Sequence, residues 1–305
     1  IILLAIFFRF YQIAVLPGGL FPDEAANGLD INSMQQGQLQ PFYERGNGRE
    51  ALFFFMLWGS VEAFGKGPWQ HHVVSSFVGL LSVILCFFVT RKLLGLATGF
   101  NEKQATTAAL LASFFMATST WHTTLSRTAF RANLIPLFTS ATLYLLLLAF
   151  KANTKIKQYV YSVLAGACFA LGFYSYIAYR IMAPLLILII LWPLLAEIFK
   201  TKSLLIVKKW FLAFVLFCIA FAIAIAPLSN YFYTHPGSFV GRSGQVSVFN
   251  PELNNGNLLG TIGEVTKQSL LGFITVGDLN WRHNISGLPF LSPLYSVFFV
   301  LGVIS

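Results

Sequence analysis

The chain has 305 residues, of which 56% are hydrophobic and only 10% are charged, and its mean hydropathy is +0.71. Because soluble domains contain about 25% charged residues, this composition excludes a soluble globular enzyme, and the aromatic content of 16% excludes a disordered chain. The formal net charge is +9. The composition is that of an integral membrane protein.

Apolar runs of about 20 residues predict membrane-spanning helices. Eight such runs occur, at about 1–16, 73–93, 105–121, 132–150, 158–178, 181–199, 210–228 and 288–305. The run Ala51–Phe64 contains Glu62 and is too short to cross at about 1.5 Å per residue, so it predicts a helix lying at the membrane interface. The first and last runs are cut by the chain ends and no initiator Met is present, so we expect the N-terminal part of a longer protein.

The basic residues predict the orientation of these spans. The loops after the second, fourth and sixth spans carry ten basic and two acidic residues, whereas the opposite side carries nine of each. Basic loops face the cytoplasm, so the positive charge needs no nucleic acid. We expect an all-α, multi-pass protein forming one domain over 1–305, with outer loops at about 17–72 and 229–287. Seven of the nine outer bases are Arg, which suits phosphate or carboxylate binding.

The first outer loop opens with Pro22, Asp23 and Glu24, which predict the start of a helix because the acids favour the positive end of the helix dipole. Asn27 and Asp30 then share one face with Asp23. Either a carboxylate is placed to take a proton from an acceptor hydroxyl, or the acids only cap a hydrated helix.

Further along this loop, the glycine-rich stretch Arg45–Gly48 precedes Arg49 and Glu50 and the aromatic interfacial segment. The turn could bring Arg49 and Glu50 towards Asp23 as substrate-binding groups. The alternative is an ordinary turn with an Arg–Glu pair.

Arginines at span ends form the next candidate group. Arg127 and Arg131 are four residues apart at the outer start of the fourth span, so both are expected to point the same way. Two cations at a helix N-terminus favour a bound anion, unless they extend to lipid headgroups. Tyr176 and Arg180 close the fifth span, either as an aromatic belt or as a phosphate contact. We expect the three arginines to converge on one cavity.

The second outer loop carries two polar clusters. His235 and Arg242 lie in the first, and the second consists of Asp278–Asn284, including Trp281, Arg282, His283 and Asn284. An aromatic side chain among amides, carboxylates and bases is typical of sugar binding, and we expect these clusters to fold over the outer face as a lid. The alternative is a loop that caps the membrane face or docks a partner. Asn284-Ile285-Ser286 also fits a glycosylation acceptor pattern.

No metal or other cofactor is predicted. The three cysteines Cys86, Cys168 and Cys218 fall in apolar runs without metal-ligand spacing, and His235 and His283 are not spaced as a metal pair.

Taken in order, these motifs resemble the polytopic GT-C glycosyltransferases, in the bacterial branch related to protein O-mannosyltransferases and to the aminoarabinose transferase that modifies lipid A. The stretches that carry the resemblance are Phe21–Ala25, Asn47–Phe53, Ser126–Arg127 with Arg131, Tyr174–Tyr176 with Arg180, His235-Pro236 with Arg242, and Asn280–Asn284. The mannosyltransferases usually have a His-Pro-Pro stretch where this chain has Arg49-Glu50-Ala51, which argues against a protein acceptor.

The resemblance implies a GT-C helix bundle that moves a sugar from a polyprenyl-phosphate donor to a hydroxyl of a glycan, lipid or protein acceptor, with inversion. It implies that Asp23 is the base, that Glu24 orients its loop, and that arginines hold the lipid phosphate, here Arg127, Arg131, Arg180, Arg242 and Arg282. Substrate contacts are expected from Asn27, Arg49, Glu50, Tyr176, His235, Trp281, His283 and Asn284. The expected location is a bacterial plasma membrane, with the site on the outer face.

Two other functions fit the same composition. A transporter or lipid flippase would place charges near the membrane midplane, but Arg9 is the only charge well inside a predicted span. An inactive scaffold of the same fold would lack the acid and the arginines, which are present. The sequence therefore favours an enzyme.

Overall fold

The computed structural model describes residues 1–97, 99–188, 191 and 205–304, apart from the side chains of 205–209, 242, 243 and 246. Nearly all regular structure in these ranges is α-helical. The helices before residue 130 are α1 (Ile2–Phe10), α2 (Pro22–Gln35), α3 (Leu52–Phe64), α4 (Pro68–Leu94), α5 (Glu102–Thr118) and α6 (Thr120–Arg127). Those after it are α7 (Leu134–Phe150), α8 (Lys155–Phe173), α9 (Tyr179–Leu188), α10 (Leu205–Thr234), α11 (Pro236–Val246), α12 (Pro251–Asn254), α13 (Leu258–Gly272) and α14 (Pro293–Ile304).

Four helices in the described part of the chain are long and apolar enough to cross a membrane. They are α4, α7 with the 3-10 turn that precedes it (Arg131–Phe150), α8, and the Trp210–Thr234 part of α10. The 27 residues of α4 extend about 40 Å, more than the roughly 30 Å of a bilayer core. The runs at 73–93, 132–150, 158–178 and 210–228 are thus confirmed as helices of spanning length, as expected for a membrane protein.

The other predicted spans differ from the structure. The run at 1–16 forms a helix of only 9 residues, the run at 288–305 one of 12, and the run at 105–121 one of 17. α5 ends because Ser119 adopts an extended backbone and its hydroxyl accepts from the His122 amide, which starts α6. Of the run at 181–199, α9 is described to Leu188 and most of the remainder lies outside the described residues.

The second outer loop is mostly helical, which corrects its prediction as an open loop. α10 continues to Thr234, and α11, α12 and α13 follow. Pro236 and Pro251 occupy first-turn positions, where proline is tolerated, and the side chains of Asn250 and Asn257 accept amide hydrogen bonds at the starts of α12 and α13. Because the second outer loop is polar, its hydropathy pattern did not predict these helices.

The first outer loop folds into a small core of its own against α4. α2 and α3 flank a hairpin in which β1 (Phe42–Tyr43) pairs antiparallel with β2 (Arg49–Glu50). Gly48 has a positive φ of 92°, and a side chain there would meet the ring of Phe42. The helix predicted over Ala51–Phe64 is confirmed as α3, and its buried face joins a cluster with residues of α2, α4 and α7. This packing fixes the direction in which β2 presents Arg49 and Glu50.

Arg9, the only charge well inside a predicted span, has a structural role at the end of α5. Its guanidinium donates to the carbonyl of Ala117 at 3.0 Å and of Met116 at 3.2 Å, and lies 2.6 Å from Nδ1 of His122. The carbonyls at the end of a helix lack partners within it. Arg9 supplies partners where α5 breaks into α6.

Glycine permits the close approach of α8 and α10. A Cβ atom on Gly166 would lie 2.3 Å from the carbonyl oxygen of Phe217, a backbone atom that cannot rotate away. Both helices also contribute to the aromatic cluster around Phe169. The packing of these two helices therefore requires a residue without a side chain at position 166.

We expect Gly166→Ala to destabilise the protein by about 1–3 kcal/mol because the added methyl overpacks the interface. Gly59→Ala is the matched control, since Gly59 is also helical and its Cβ position is open. Alanine favours both helices equally by propensity. Thermal unfolding of the purified protein should give a lower Tm for Gly166→Ala only. An equal or higher Tm for that variant would contradict the close approach.

Candidate outer-face site

The two acids that begin α2 have different surroundings. Asp23 is exposed, with 72% of its side chain accessible. Glu24 is fully buried: its carboxylate accepts from the amide of Phe21 at 3.0 Å and from the amide of Ala129 at 2.8 Å. Nε2 of the buried His72 lies 3.5 Å away. Glu24 therefore ties α2 to the segment between α6 and α7, and only Asp23 is open to a substrate.

The next two polar residues on this face of α2 hold an arginine of the hairpin. Arg49 donates to Oδ1 of Asn27 at 2.8 Å and to Asp30, and its guanidinium lies over the ring of Phe54. The other oxygen of Asp30 accepts from Arg45 at 2.9 Å. Asn27, Asp30 and Arg49 are all buried, so they form a layer beneath the surface at Asp23, and Asp30 also borders a separate cavity.

Glu50 joins three separate parts of the chain. Its carboxylate accepts from Arg131 at 3.1 Å and lies 3.8 Å from the guanidinium of Arg180. Arg131 is buried and stacks on the ring of Tyr176, at 5.2 Å. Glu50 thus links the hairpin with the start of α7 and the start of α9.

Arg180 is partly open and lies among aromatic rings. Its side chain is 19% accessible, its guanidinium lies 4.5 Å from the ring centre of Phe239 and 5.2 Å from that of Phe232, and it donates to the carbonyl of Phe239 at 2.7 Å. These contacts bring α11 over the start of α9.

The second polar cluster of the second outer loop, Asp278–Asn284, reaches Asp23 and is called the late outer segment. Arg282 forms an ion pair with Asp23 and its guanidinium lies 5.0 Å from the ring centre of Phe130. His283 stacks on the same ring at 5.2 Å and pairs with Asp278 at 2.9 Å. Two elements that are more than 250 residues apart therefore meet at the start of α2.

Electrostatics keep Asp23 ionised. The hydrogen bond from Arg282 lowers the pKa of Asp23 below its ordinary value, against the opposing effect of partial burial. The more distant charges of Arg49 and Arg131 lower the same pKa further. Asp23 is thus a carboxylate exposed to solvent at the edge of an arginine cluster.

The structure corrects the expectation for Arg127. Its guanidinium donates to three carbonyls that follow or end α1, those of Phe8, Tyr11 and Leu16, at 2.7–3.0 Å. The helical spacing expected between Arg127 and Arg131 is broken, because α6 ends at Arg127 and the backbone at Thr128 is extended. Arg131 and Arg180 converge on Glu50, whereas Arg127 caps the end of α1.

Two further predicted residues lie differently from expectation, and the structure does not test a third. Asn284 is 2% accessible and its amide donates within its own loop, to the carbonyls of Asp278 and Leu288, so it cannot contact a substrate. The same burial removes Asn284 as a glycosylation acceptor in the folded protein. His235 stacks on Tyr231 beside a separate cavity. The side chain of Arg242 lies outside the described residues.

Trp281 is the exposed aromatic residue of this cluster. It is 69% accessible and precedes Arg282 in the chain. An exposed indole next to a paired arginine and carboxylate can offer a flat apolar face to a ligand.

Sequence reasoning missed several aromatic residues of the site. Phe21, Phe130, Phe232 and Phe239 all lie against arginine side chains. With 32 phenylalanines in the chain, no single one gave a signal. The sequence pattern places Arg45 in a turn and gives no sign of its ion pair with Asp30.

The arrangement concentrates arginines that are paired with carboxylates. Five arginines, Arg45, Arg49, Arg131, Arg180 and Arg282, lie against Asp23, Asp30 and Glu50. Arginine beside aromatic rings, above apolar helices, suits an anion with an apolar tail. An exposed carboxylate at the edge suits proton abstraction.

Comparison with protein-family models, with curated proteins and with solved structures finds no match to this chain. The chemistry of the cluster therefore carries the functional argument.

We expect Glu50→Gln to destabilise the fold by about 3–5 kcal/mol, because it removes the carboxylate that pairs with the buried Arg131. The double variant Glu50→Gln/Arg131→Met should recover part of this loss. The control is Glu102→Gln, which breaks an exposed pair with Arg91 and should cost less than about 1 kcal/mol. Chemical denaturation of the three variants measures these differences, and equal losses for Glu50→Gln and Glu102→Gln would contradict the burial of this pair.

Proposed function

We propose that the chain is a multi-pass GT-C-type glycosyltransferase that moves a sugar from a polyprenyl-phosphate donor to an acceptor hydroxyl. The single observation that carries the proposal is the exposed carboxylate of Asp23 at the edge of an arginine cluster, above four helices of membrane-spanning length. Such a site combines a base, an anion-binding group and access for a lipid.

The arginines would hold the donor phosphate. The side chains of Arg180 and Arg282 are partly accessible, whereas Arg131 and Arg49 are buried and supply charge from beneath. When the bond between the anomeric carbon and the phosphate oxygen breaks, the electron pair stays on the phosphate. Positive groups fixed in advance at that position stabilise the developing charge.

Asp23 would accept the proton of the acceptor hydroxyl. The hydroxyl oxygen forms a bond with the anomeric carbon on the face opposite the phosphate, so the configuration inverts and the proton remains on Asp23. A donor phosphate competes with Asp23 for Arg282. Release from Arg282 raises the pKa of Asp23 towards its ordinary value, because that hydrogen bond is the main cause of the lowered pKa. The base therefore becomes stronger when the donor binds.

The late outer segment would cover the donor sugar. Arg282 and His283 pack against Phe130, which fixes this segment over the start of α2. Trp281 is exposed there and would give the sugar a flat contact surface. A cover of this kind limits hydrolysis, because water competes with the acceptor hydroxyl for the anomeric carbon.

The proposed orientation puts this site on the outer face of a bacterial plasma membrane, opposite the lysine-rich loops. A transporter or flippase has less support, because the guanidinium of Arg9 is engaged with helix-end carbonyls rather than a polar path. Glu24 acts in the proposal as a positioning residue, since its oxygens already accept two backbone amides.

We expect Asp23→Asn to lower sugar transfer about 10²–10⁴-fold, the usual loss when a general base is removed. The full-length protein in liposomes is incubated with a panel of polyprenyl-phosphate sugars and an acceptor extract, and released polyprenyl phosphate is measured. Glu264→Gln, at an exposed acid of α13, is the control and should be fully active. Normal turnover in Asp23→Asn would exclude Asp23 as the base.

We expect Arg282→Gln to shift the acid limb of the kcat/KM profile to higher pH. The limb of kcat/KM reports the free enzyme, in which Arg282 holds the pKa of Asp23 below its ordinary value. Transfer needs the ionised carboxylate, so raising that pKa moves the loss of activity upward. Lys267→Gln, which removes an exposed charge of α13, should leave the limb in place. An acid limb that is unchanged in Arg282→Gln would show that the limb does not report the ionisation of Asp23.

A further inference from the structure

A second, polar cavity lies on the outer face beside the hairpin. It has a volume of about 370 Å³ and lies between the segment joining α2 to β1 and the outer end of α10. Small-molecule sites have volumes of about 300–1,000 Å³, so it has room for one small unit. Each of its nine lining side chains carries a hydrogen-bonding group, which is unusual in a chain of this hydropathy.

The charges around this cavity are already engaged. Arg45 donates to Asp30 at 2.9 Å, and the second oxygen of Asp30 accepts from Arg49. Glu44 accepts from the hydroxyl of Ser238 at 2.8 Å and from that of Tyr231 at 3.4 Å. The lining has two carboxylates and one arginine, so it disfavours a phosphate. A neutral ligand rich in hydrogen-bonding groups fits it better.

The rim of the cavity is held in place by its own hydrogen bonds. The buried Tyr43 donates to the carbonyl of Gln38 at 2.9 Å and accepts from the amide of Gln40 at 3.4 Å. These bonds use backbone atoms, and both glutamines are exposed residues of the cavity lining. Tyr231 and His235 also line the cavity and stack on each other at 4.4 Å with an angle of 15°, which forms an aromatic wall. Amide side chains and aromatic rings in one cavity match the hydroxyls and the C–H faces of a sugar.

We propose that this cavity binds a neutral sugar unit of the acceptor. The identification as acceptor rests on the proposed function, whereas the binding of a neutral saccharide does not. Asp30, at the cavity, and Asp23 are seven residues apart on one side of α2, about 10 Å along the helix. A sugar unit in the cavity cannot itself reach Asp23. The acceptor is therefore a glycan of at least two residues, with its reactive end at Asp23 and an inner unit in the cavity.

The test measures binding directly, without donor. The full-length protein in lipid nanodiscs is applied to an array of neutral mono- to hexasaccharides, with acidic glycans and serine-rich peptides alongside. We expect binding to neutral glycans longer than one residue. The double variant Gln38→Ala/Gln40→Ala should bind about tenfold more weakly, because each lost hydrogen bond contributes about 0.5–1.5 kcal/mol.

The matched control is Gln36→Ala. Gln36 lies in the same exposed segment, outside the cavity lining, so this variant should bind as the unmodified protein does. His235→Ala should also weaken binding, by removing one ring of the stacked wall. Neither glutamine side chain that is removed is buried, so a folding defect is not expected, and an unchanged Tm checks this.

Three results would overturn the inference: no binding to any neutral glycan, equal binding by the double variant, or binding of peptides or acidic glycans instead. The same preparations are assayed for release of polyprenyl phosphate from the donor panel. Glycan binding that depends on Gln38 and Gln40, without any donor turnover, would leave the saccharide site standing and overturn the proposed transfer. Donor turnover without neutral glycan binding would overturn the saccharide site alone.

Discussion

The carboxylate of Glu50 lies between two arginines that come from different parts of the chain, and the candidate site is organised around this contact. Arg131 begins the turn before α7 and Arg180 lies in the first turn of α9, so one acid joins the hairpin to both. A buried guanidinium needs either a counter-charge or hydrogen-bond acceptors around it, because its desolvation costs several kcal/mol. With Glu50 in place, positive charge can be concentrated above apolar helices without forcing them apart.

The same constraint explains why the arginines divide into two roles. Arg9 and Arg127 meet backbone carbonyls and one imidazole among the partners described, and they supply partners where α5 and α1 end. Arg49, Arg131 and Arg282 meet carboxylates. Backbone dipoles solvate the charge of a capping guanidinium but do not exchange with a ligand anion. An arginine paired with an acid can exchange that acid for another anion, which is the property a phosphate site requires.

Much of the architecture could be predicted from hydropathy and capping signals. Four spanning-length helices, α2 at Pro22 and α3 over the short aromatic run follow from patterns within a single element. The position of Arg127 could not be predicted in this way. The break after α6 depends on backbone geometry at Thr128, and the partners of Arg127 are carbonyls more than 110 residues away. Burial of Glu24 and Asn284 likewise depends on distant packing, which a local polar pattern does not reveal.

Arg282 connects the two halves of the proposed chemistry. While Arg282 is paired with Asp23, the carboxylate is ionised but weakly basic, and one amino group of the guanidinium is occupied. An anion that takes Arg282 frees the carboxylate, so binding of the donor and activation of the base would occur together. An acceptor hydroxyl, or a water molecule, that reaches Asp23 before the donor meets a poor base. In the proposed mechanism the ion pair would couple proton abstraction to the presence of a leaving phosphate, through one contact between the start of α2 and the late outer segment.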